Sequence, residues 1–356
     1  MQLIKPDINI NFIGQRKFAF VGSLLLIAAS IISLILKGGP SYGIDFAGGT
    51  LIQVQFSQAI PPQAIKDALR TTDLDITSVQ GFGETKDNEY LIRATGSSTA
   101  LESLAPKITK VLKSAYPENE AEVRRVEMVG PKVGKDLREK ALLAMFSAIL
   151  FIIVYISGRF ELKWMLSIIV ASCLFFALFT LKKFDVSLPT LILIAILVTL
   201  GLCFYLKLRF ATGAIVALVH DVMITVGIFS LMNKDFTLPI IAALLTIIGY
   251  SLNDTIIVFD RIRENTRKHH RQPYDRIINR SINETLSRTL LTSLTTLVVV
   301  VSLFVLGGGI IHDFAFALII GIIVGTYSSV YVASPILLVW QQATKTSAGR
   351  LKKRRG

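Results

Sequence analysis

Two aspartates stand where charge is costly. Asp221 lies near the middle of the apolar run Phe210–Met232, and Asp254 lies in the second half of the run Leu238–Phe259. An ionisable side chain in hydrocarbon is expensive and ordinarily marks an ion or substrate path. Burial penalises the charged form of a carboxylate and a nearby guanidinium favours it. The two together suit a group that takes up and returns a proton. His220 precedes Asp221 and can either titrate or simply pack. In Gly249-Tyr250-Ser251-Leu252-Asn253-Asp254-Thr255, Ser251 falls one turn before Asp254 on a shared polar face, with Asn253 adjoining. The competing reading is a polar clamp that hydrogen-bonds helices and never titrates. Arg288 opens the run Thr289–Leu306, and its spacing alone makes it a membrane-edge arginine reaching for headgroups.

The elements that carry these residues are apolar helices. The chain has 356 residues, 52% hydrophobic and 18% charged, with mean hydropathy +0.58. About 17–25 apolar residues cross a bilayer core, and eight runs qualify: Phe18–Leu36, Ala141–Ser157, Trp164–Leu181, Pro189–Leu206, Phe210–Met232, Leu238–Phe259, Thr289–Leu306 and Phe314–Trp340. The last is longer than a span needs, so its end leaves the membrane. Lys37-Gly38-Gly39-Pro40 follows the first run in place of a small-residue cleavage site, which favours a retained signal anchor. Cys173 and Cys203 both fall within spans, which argues against a disulfide framework or a zinc site.

Charge gives the orientation. The segment from Lys37 to Arg138 carries 13 basic and 13 acidic residues, so the net charge of +13 resides elsewhere. It concentrates in Arg261–Arg288 and in the tail after Lys345. The positive-inside rule places both in the cytoplasm, and anionic lipid explains the tail better than nucleic acid does. Eight spans then put both termini inside and the neutral segment outside. Ile278, Ile282 and Leu286 predict an amphipathic helix lying on the inner surface.

The domain boundaries follow. Residues 1–36 are the N-terminus and first span. Residues 37–138 form an exterior domain. Residues 139–340 are the membrane domain, with a basic loop at 261–288, and 341–356 are the basic tail. In the exterior domain, strands are predicted at Leu51–Ser57, Ile76–Gly83, Glu89–Thr95 and Ala121–Val129, with helices at Pro61–Thr72 and Ser98–Tyr116. A turn falls at Thr85–Asn88. The order βαββαβ is ferredoxin-like.

A repeat with a 50-residue offset runs through the membrane domain. Arg159-Phe160 recurs as Arg209-Phe210, Phe179-Thr180-Leu181 as Phe229-Ser230-Leu231, and Ser187-Leu188-Pro189 as Thr237-Leu238-Pro239. This predicts a duplicated helical hairpin at about 158–207. The first copy has no counterpart of His220-Asp221 or Asn253-Asp254, so it reads as scaffold. Gly321 and Gly325 form a GxxxG that permits close helix approach.

At these residues the chain resembles the SecF branch of the SecD/SecF family. Gly43-Ile44-Asp45-Phe46-Ala47-Gly48-Gly49-Thr50 is similar to the signature opening the family's periplasmic domain. Val129-Gly130-Pro131-Lys132-Val133-Gly134-Lys135-Asp136-Leu137 is similar to the segment entering its second span. His220-Asp221, Asn253-Asp254-Thr255, Phe259-Asp260-Arg261, Asp313-Phe314-Ala315, Gly325-Thr326-Tyr327-Ser328-Ser329 and Ser334-Pro335 resemble SecF in particular. The resemblance implies an α-helical polytopic protein of the bacterial inner membrane, half of an RND-type bundle, with a periplasmic ferredoxin-like α+β domain. It implies an accessory export subunit acting with SecD beside the SecYEG channel on translocating unfolded polypeptides, within membrane lipid and powered by the proton gradient. Asp254 matches the family's proton-path aspartate and Arg288 its arginine partner; His220, Asp221 and Asn253 complete the candidate path. Gly43, Asp45, Gly48 and Gly49 are the signature positions. The family has six spans, and the extra pair here falls at the less charged repeat copy.

The alternative is an RND-type proton-coupled exporter of small molecules or lipids, which would normally carry both halves in one chain. No HExxH, GxSxG or GxxxxGK[ST] motif argues for an enzyme or for ATP use. No cofactor, metal or nucleic acid is implied.

Overall fold

The computed structural model describes residues 8–70, 75–82, 88–95, 101–181 and 188–342. In chain order the elements are α1 (Phe12–Leu36), α2 (Ile44–Ala47), β1 (Gly49–Phe56), α3 (Pro62–Leu69), β2 (Asp75–Phe82), β3 (Glu89–Thr95), α4 (Leu101–Ala115) and β4 (Ala121–Val129). Then follow α5 (Pro131–Glu161), α6 (Trp164–Leu181), α7 (Leu188–Tyr205), α8 (Arg209–Leu231), α9 (Leu238–Lys268), α10 (Tyr274–Leu306) and α11 (Gly308–Ser328). A π-helical segment, Ser329–Ala333, extends the last helix, which continues to Gln342.

Seven of these helices are long and apolar enough to cross a membrane, and α7 is a shorter apolar helix. At about 1.5 Å per residue its 18 residues reach roughly 27 Å, close to the hydrocarbon thickness. Helix direction bears on whether it crosses. Ser23 meets His220, Ser30 lies against Gly227, and Ser33 meets Ser230, each pair 197 positions apart. Helices α1 and α8 are therefore parallel. With β1–β4 on one side, α8 can run parallel to α1 only if α6 and α7 both cross or neither does. The protein is a polytopic membrane protein with a small β-containing domain.

That domain folds because β1 alternates strictly, with Ile52, Val54 and Phe56 turned to one face. Ile65 and Leu69 of α3 and Ile108 and Leu112 of α4 cover that face. The sheet is antiparallel with order β2-β3-β1-β4, and the connections are βαββαβ. Every expected strand and helix of this region is found to within about three residues among the described residues; residues 85–87 of the expected turn lie outside them. Helix α2 is new: four residues of the glycine signature form one turn.

The surface-lying helix at 278–286 is corrected. Residues 274–306 form one continuous helix of 33 residues, which extends the apolar run Thr289–Leu306 at its N-terminal end. No Gly or Pro interrupts this stretch. Ile278, Ile282 and Leu286 are buried in the same core as Phe259 and Ile262 of α9. Polar rungs fix the pair: Asn265 Nδ2 donates to Ser281 Oγ at 3.0 Å and to Glu284 Oε2 at 2.7 Å, and Arg261 Nε donates to Glu284 at 2.6 Å. The packing that a membrane surface would have supplied comes from α9. The basic tail beyond residue 342 lies outside the described residues.

The 50-residue repeat has a structural counterpart. Helices α6 and α8 end at Leu181 and Leu231, and α7 and α9 begin at Leu188 and Leu238. Phe160 and Phe210, equivalent in the two copies, stack at 5.0 Å, and both meet Phe259.

Candidate functional site: a buried hydroxyl and carboxylate network

Five helices bring polar atoms together inside the apolar bundle. Asp221 of α8 and Asp254 of α9 are fully buried, and His220 nearly so. Asp221 Oδ2 accepts from Ser251 Oγ of α9 at 2.5 Å and from Ser328 Oγ of α11 at 2.8 Å. Its Oδ1 meets His220 Nδ1 at 2.8 Å. His220 Nε2 meets Ser23 Oγ of α1 at 3.0 Å, Ser23 meets the Tyr327 hydroxyl at 3.1 Å, and Tyr327 donates to the Ala19 carbonyl at 2.7 Å. A second cluster, with no hydrogen bond to the first among the described residues, holds Asp254. Ser293 Oγ of α10 donates to Asp254 Oδ2 at 3.3 Å and meets Thr326 Oγ1 of α11 at 2.7 Å.

Close packing makes this possible. A Cβ on Gly325 would stand 2.9 Å from Ser251 Cβ, and one on Gly321 would stand 2.2 Å from Ile247. The GxxxG thus lays α11 directly on α9, with Thr326 serving one carboxylate and Ser328 the other. The π turn begins at Ser329, immediately after. Such turns are frequent at functional positions because they rotate the residues that follow them.

The structure sorts the candidates. His220, Asp221 and Asp254 belong to the network. Ser251 shares a helix face with Asp254, yet its hydroxyl goes to Asp221. Asn253 is exposed, because one residue along a helix is a rotation of about 100°. Arg288 is exposed and makes no ion pair with Asp254 among the described residues. Ser293, Thr326, Ser23, Tyr327 and Ser328 have no place in the candidate path read from the sequence. For Ser23, the serines at 23, 30 and 33 carried a signal, since their spacing of seven and three is one face of α1. Thr289, one turn before Ser293, keeps a buried hydroxyl with no partner.

The signature glycines form a second, structural site. Gly43 N–H donates to the Phe236 carbonyl at 2.7 Å, and a Cβ there would meet Thr237 at 2.8 Å. Asp45 Oδ2 accepts from the N–H of Leu238, the first residue of α9. Gly48, at φ +77, passes so close to Pro131 that a Cβ would lie 2.8 Å from its Cα. Gly49 follows at φ +116, a value that also favours glycine. Arg93 of β3 pairs with Asp235 and donates to the Tyr42 carbonyl. Burial raises the Asp235 carboxyl above its usual range; Arg93 opposes the shift and Asp313 adds to it. The signature is therefore the joint between the domain and helices α5 and α9.

Comparison with known proteins agrees along the whole chain. The profile described as "Protein export membrane protein SecD/SecF, C-terminal" matches residues 107–203 and 181–343, and "SecD/SecF GG Motif" matches residues 33–60. A protein translocase subunit SecF from Magnetococcus marinus is 42% identical over 97% of this chain and 96% of its own length. The SecF of Escherichia coli O157:H7 is 36% identical over 92% of this chain and 87% of its own. The crystal structure of SecDF, a translocon-associated membrane protein from Thermus thermophilus, superposes with a TM-score of 0.68 at 32% identity. The match covers 96% of this chain, which spans 40% of the SecDF chain. The chain belongs to the SecF branch of the SecD/SecF family of protein-export membrane proteins, accessory subunits of Sec protein translocation.

Proposed function

We propose that this chain works in the bacterial inner membrane as the partner of a SecD-like protein beside a SecYEG channel. Its sheet domain faces the periplasm and both termini face the cytoplasm. It uses the proton gradient to help complete translocation of unfolded polypeptides, with no enzymatic step of its own. Asp254 and Asp221 carry the proton, and Arg288 biases Asp254 from the cytoplasmic side. One observation carries this reading: two carboxylates, fully buried in apolar helices, are joined to hydroxyls on α1, α9, α10 and α11. A clamp that never titrates needs one bond per helix pair; these contacts span five helices.

The deciding test is Asp254→Asn in a strain that relies on this protein. The variant inserts normally and no longer supports export; undiminished export removes the proton reading. Arg288→Met reduces export less than Asp254→Asn, because it lacks the ion-pair contact. Orientation is tested in a cysteine-free background. A cysteine at Asn88 reacts with an impermeant thiol reagent from outside, and one at His270 does not. Labelling at His270 reverses the assigned topology.

A further inference from the structure

Counting hydrogens along the branch from Asp221 to α1 fixes where each one sits. A tyrosine hydroxyl has one hydrogen and a backbone carbonyl has none. Tyr327 must therefore spend its hydrogen on Ala19, 2.7 Å away. Ser23 and Tyr327 are 3.1 Å apart, so the hydrogen between them comes from Ser23. With that hydrogen committed, the 3.0 Å contact between Ser23 Oγ and His220 Nε2 needs a hydrogen on Nε2. The remaining contact, His220 Nδ1 to Asp221 Oδ1 at 2.8 Å, then holds a proton on one side or the other. Either a carboxylic acid donates to a neutral ring, or an imidazolium donates to a carboxylate. Both forms are net neutral, which avoids an uncompensated charge in a buried site.

We propose that the His220–Asp221 pair stores one shared proton and that Ser23 and Tyr327 are positioning residues that enforce it. Release of one proton then has a mechanical consequence. The pair is left with one hydrogen, and the carboxylate draws it to Nδ1, because a bare ring nitrogen facing a carboxylate is repulsive. The ring is then the Nδ1–H tautomer with Nε2 bare, and the proton that has left the pair is taken up by an ionised carboxylate, Asp254 being the other fully buried one among the described residues. Nε2 now has only a lone pair, so the Ser23 hydroxyl turns from Tyr327 to donate to it. The Ser23–Tyr327 bond, one of the two that tie Tyr327 of α11 to α1, is lost. Helix α1 leads through residues 37–42 to Gly43 and Asp45, which are bonded to Phe236 and Leu238. A proton leaving the His220–Asp221 pair thus removes one tie of the helix that leads into the exterior domain. The groups facing the pair are Ser23 from α1, Ser251 with Asp254 beyond it from α9, and Tyr327 and Ser328 from α11.

This inference rests on Asp221 belonging to the proton path, and its test separates the two. The full chain is labelled with ¹⁵N-histidine and reconstituted in lipid nanodiscs at neutral pH. It has four histidines, and the signal lost in His220→Gln identifies the relevant ring. In the wild type, Nε2 of His220 carries a hydrogen; a bare Nε2 overturns the proposal without any further variant. In Tyr327→Phe the Ser23 hydroxyl is released to donate to the ring, and the pair gives up its stored proton to solvent, so Nε2 becomes bare and Nδ1 protonated. A Tyr327→Phe spectrum identical to wild type also overturns it. If both spectra behave as stated while Asp254→Asn still supports export, the stored proton stands and the proton-driven reading of export fails.

Discussion

The carboxylate of Asp45 accepts a hydrogen bond from the backbone N–H of Leu238 at 2.9 Å, capping a helix that begins 193 positions later in the chain. Thr237, the local N-cap residue of α9, makes no side-chain cap bond, and Pro239 supplies no N–H. A signature residue at the entry to the sheet domain thus completes the start of the helix that carries Asp254. Losing a cap of this kind costs about 1 kcal/mol. Asp45→Ala lowers the thermal midpoint of the solubilised protein, and Asp45→Asn recovers most of the loss. Equal midpoints for Asp45→Ala and wild type remove this role.

Gly325→Val tests the close approach of α11 to α9. The added atoms meet Ser251 itself, so Ser328 and Thr326 are displaced from both carboxylate branches at once. Export is lost at least as fully as in Asp254→Asn, while Gly249→Ala, where a Cβ has open space, leaves it intact. Export by Gly325→Val at the wild-type rate contradicts this packing.

The pair Arg93–Asp235 makes the joint sensitive to pH. The folded Asp235 carboxyl lies above the unfolded value of about 3.9, with burial as the largest cause. Its contribution to stability is therefore fully present below that unfolded value and is lost as pH rises through the folded value. Thermal midpoints measured from pH 4 to 7 fall by a component that Asp235→Asn removes. An identical pH slope in the two proteins shows that the group is not responsible.

Deleting residues 158–207 removes α6 and α7 and joins Ser157 to Leu208. An even number of spans is lost, Arg209-Phe210 replaces Arg159-Phe160 at the junction, and no network residue is touched. The shortened protein inserts, copurifies with a SecD-like partner and retains partial export. The helices are largely exposed, though Ser167, Leu178, Thr199 and Cys203 are buried against their neighbours. A stable deletion protein that fails to copurify places the hairpin in the partner contact.

The sequence alone determined which segments are apolar and long enough to enter a membrane, because unbroken apolar length answers directly to bilayer thickness. It determined the βαββαβ order, because alternation and 3.6-residue periodicity differ visibly in runs such as Gly49–Phe56 and Leu101–Ala115. It also placed Asp221 and Asp254 in hydrocarbon. Tertiary structure decided what those carboxylates touch. Spacing sets which residues share a face of one helix, as with Ser251 and Asp254, but not which neighbour that face meets. Helix rotation sent the Ser251 hydroxyl to Asp221, turned Asn253 outward, and brought Ser23 and Tyr327 to His220 from opposite ends of the chain. Tyr274–Leu306 became one helix for the same reason: Ile278, Ile282 and Leu286 need an apolar cover, and only the fold showed that α9, not lipid, supplies it.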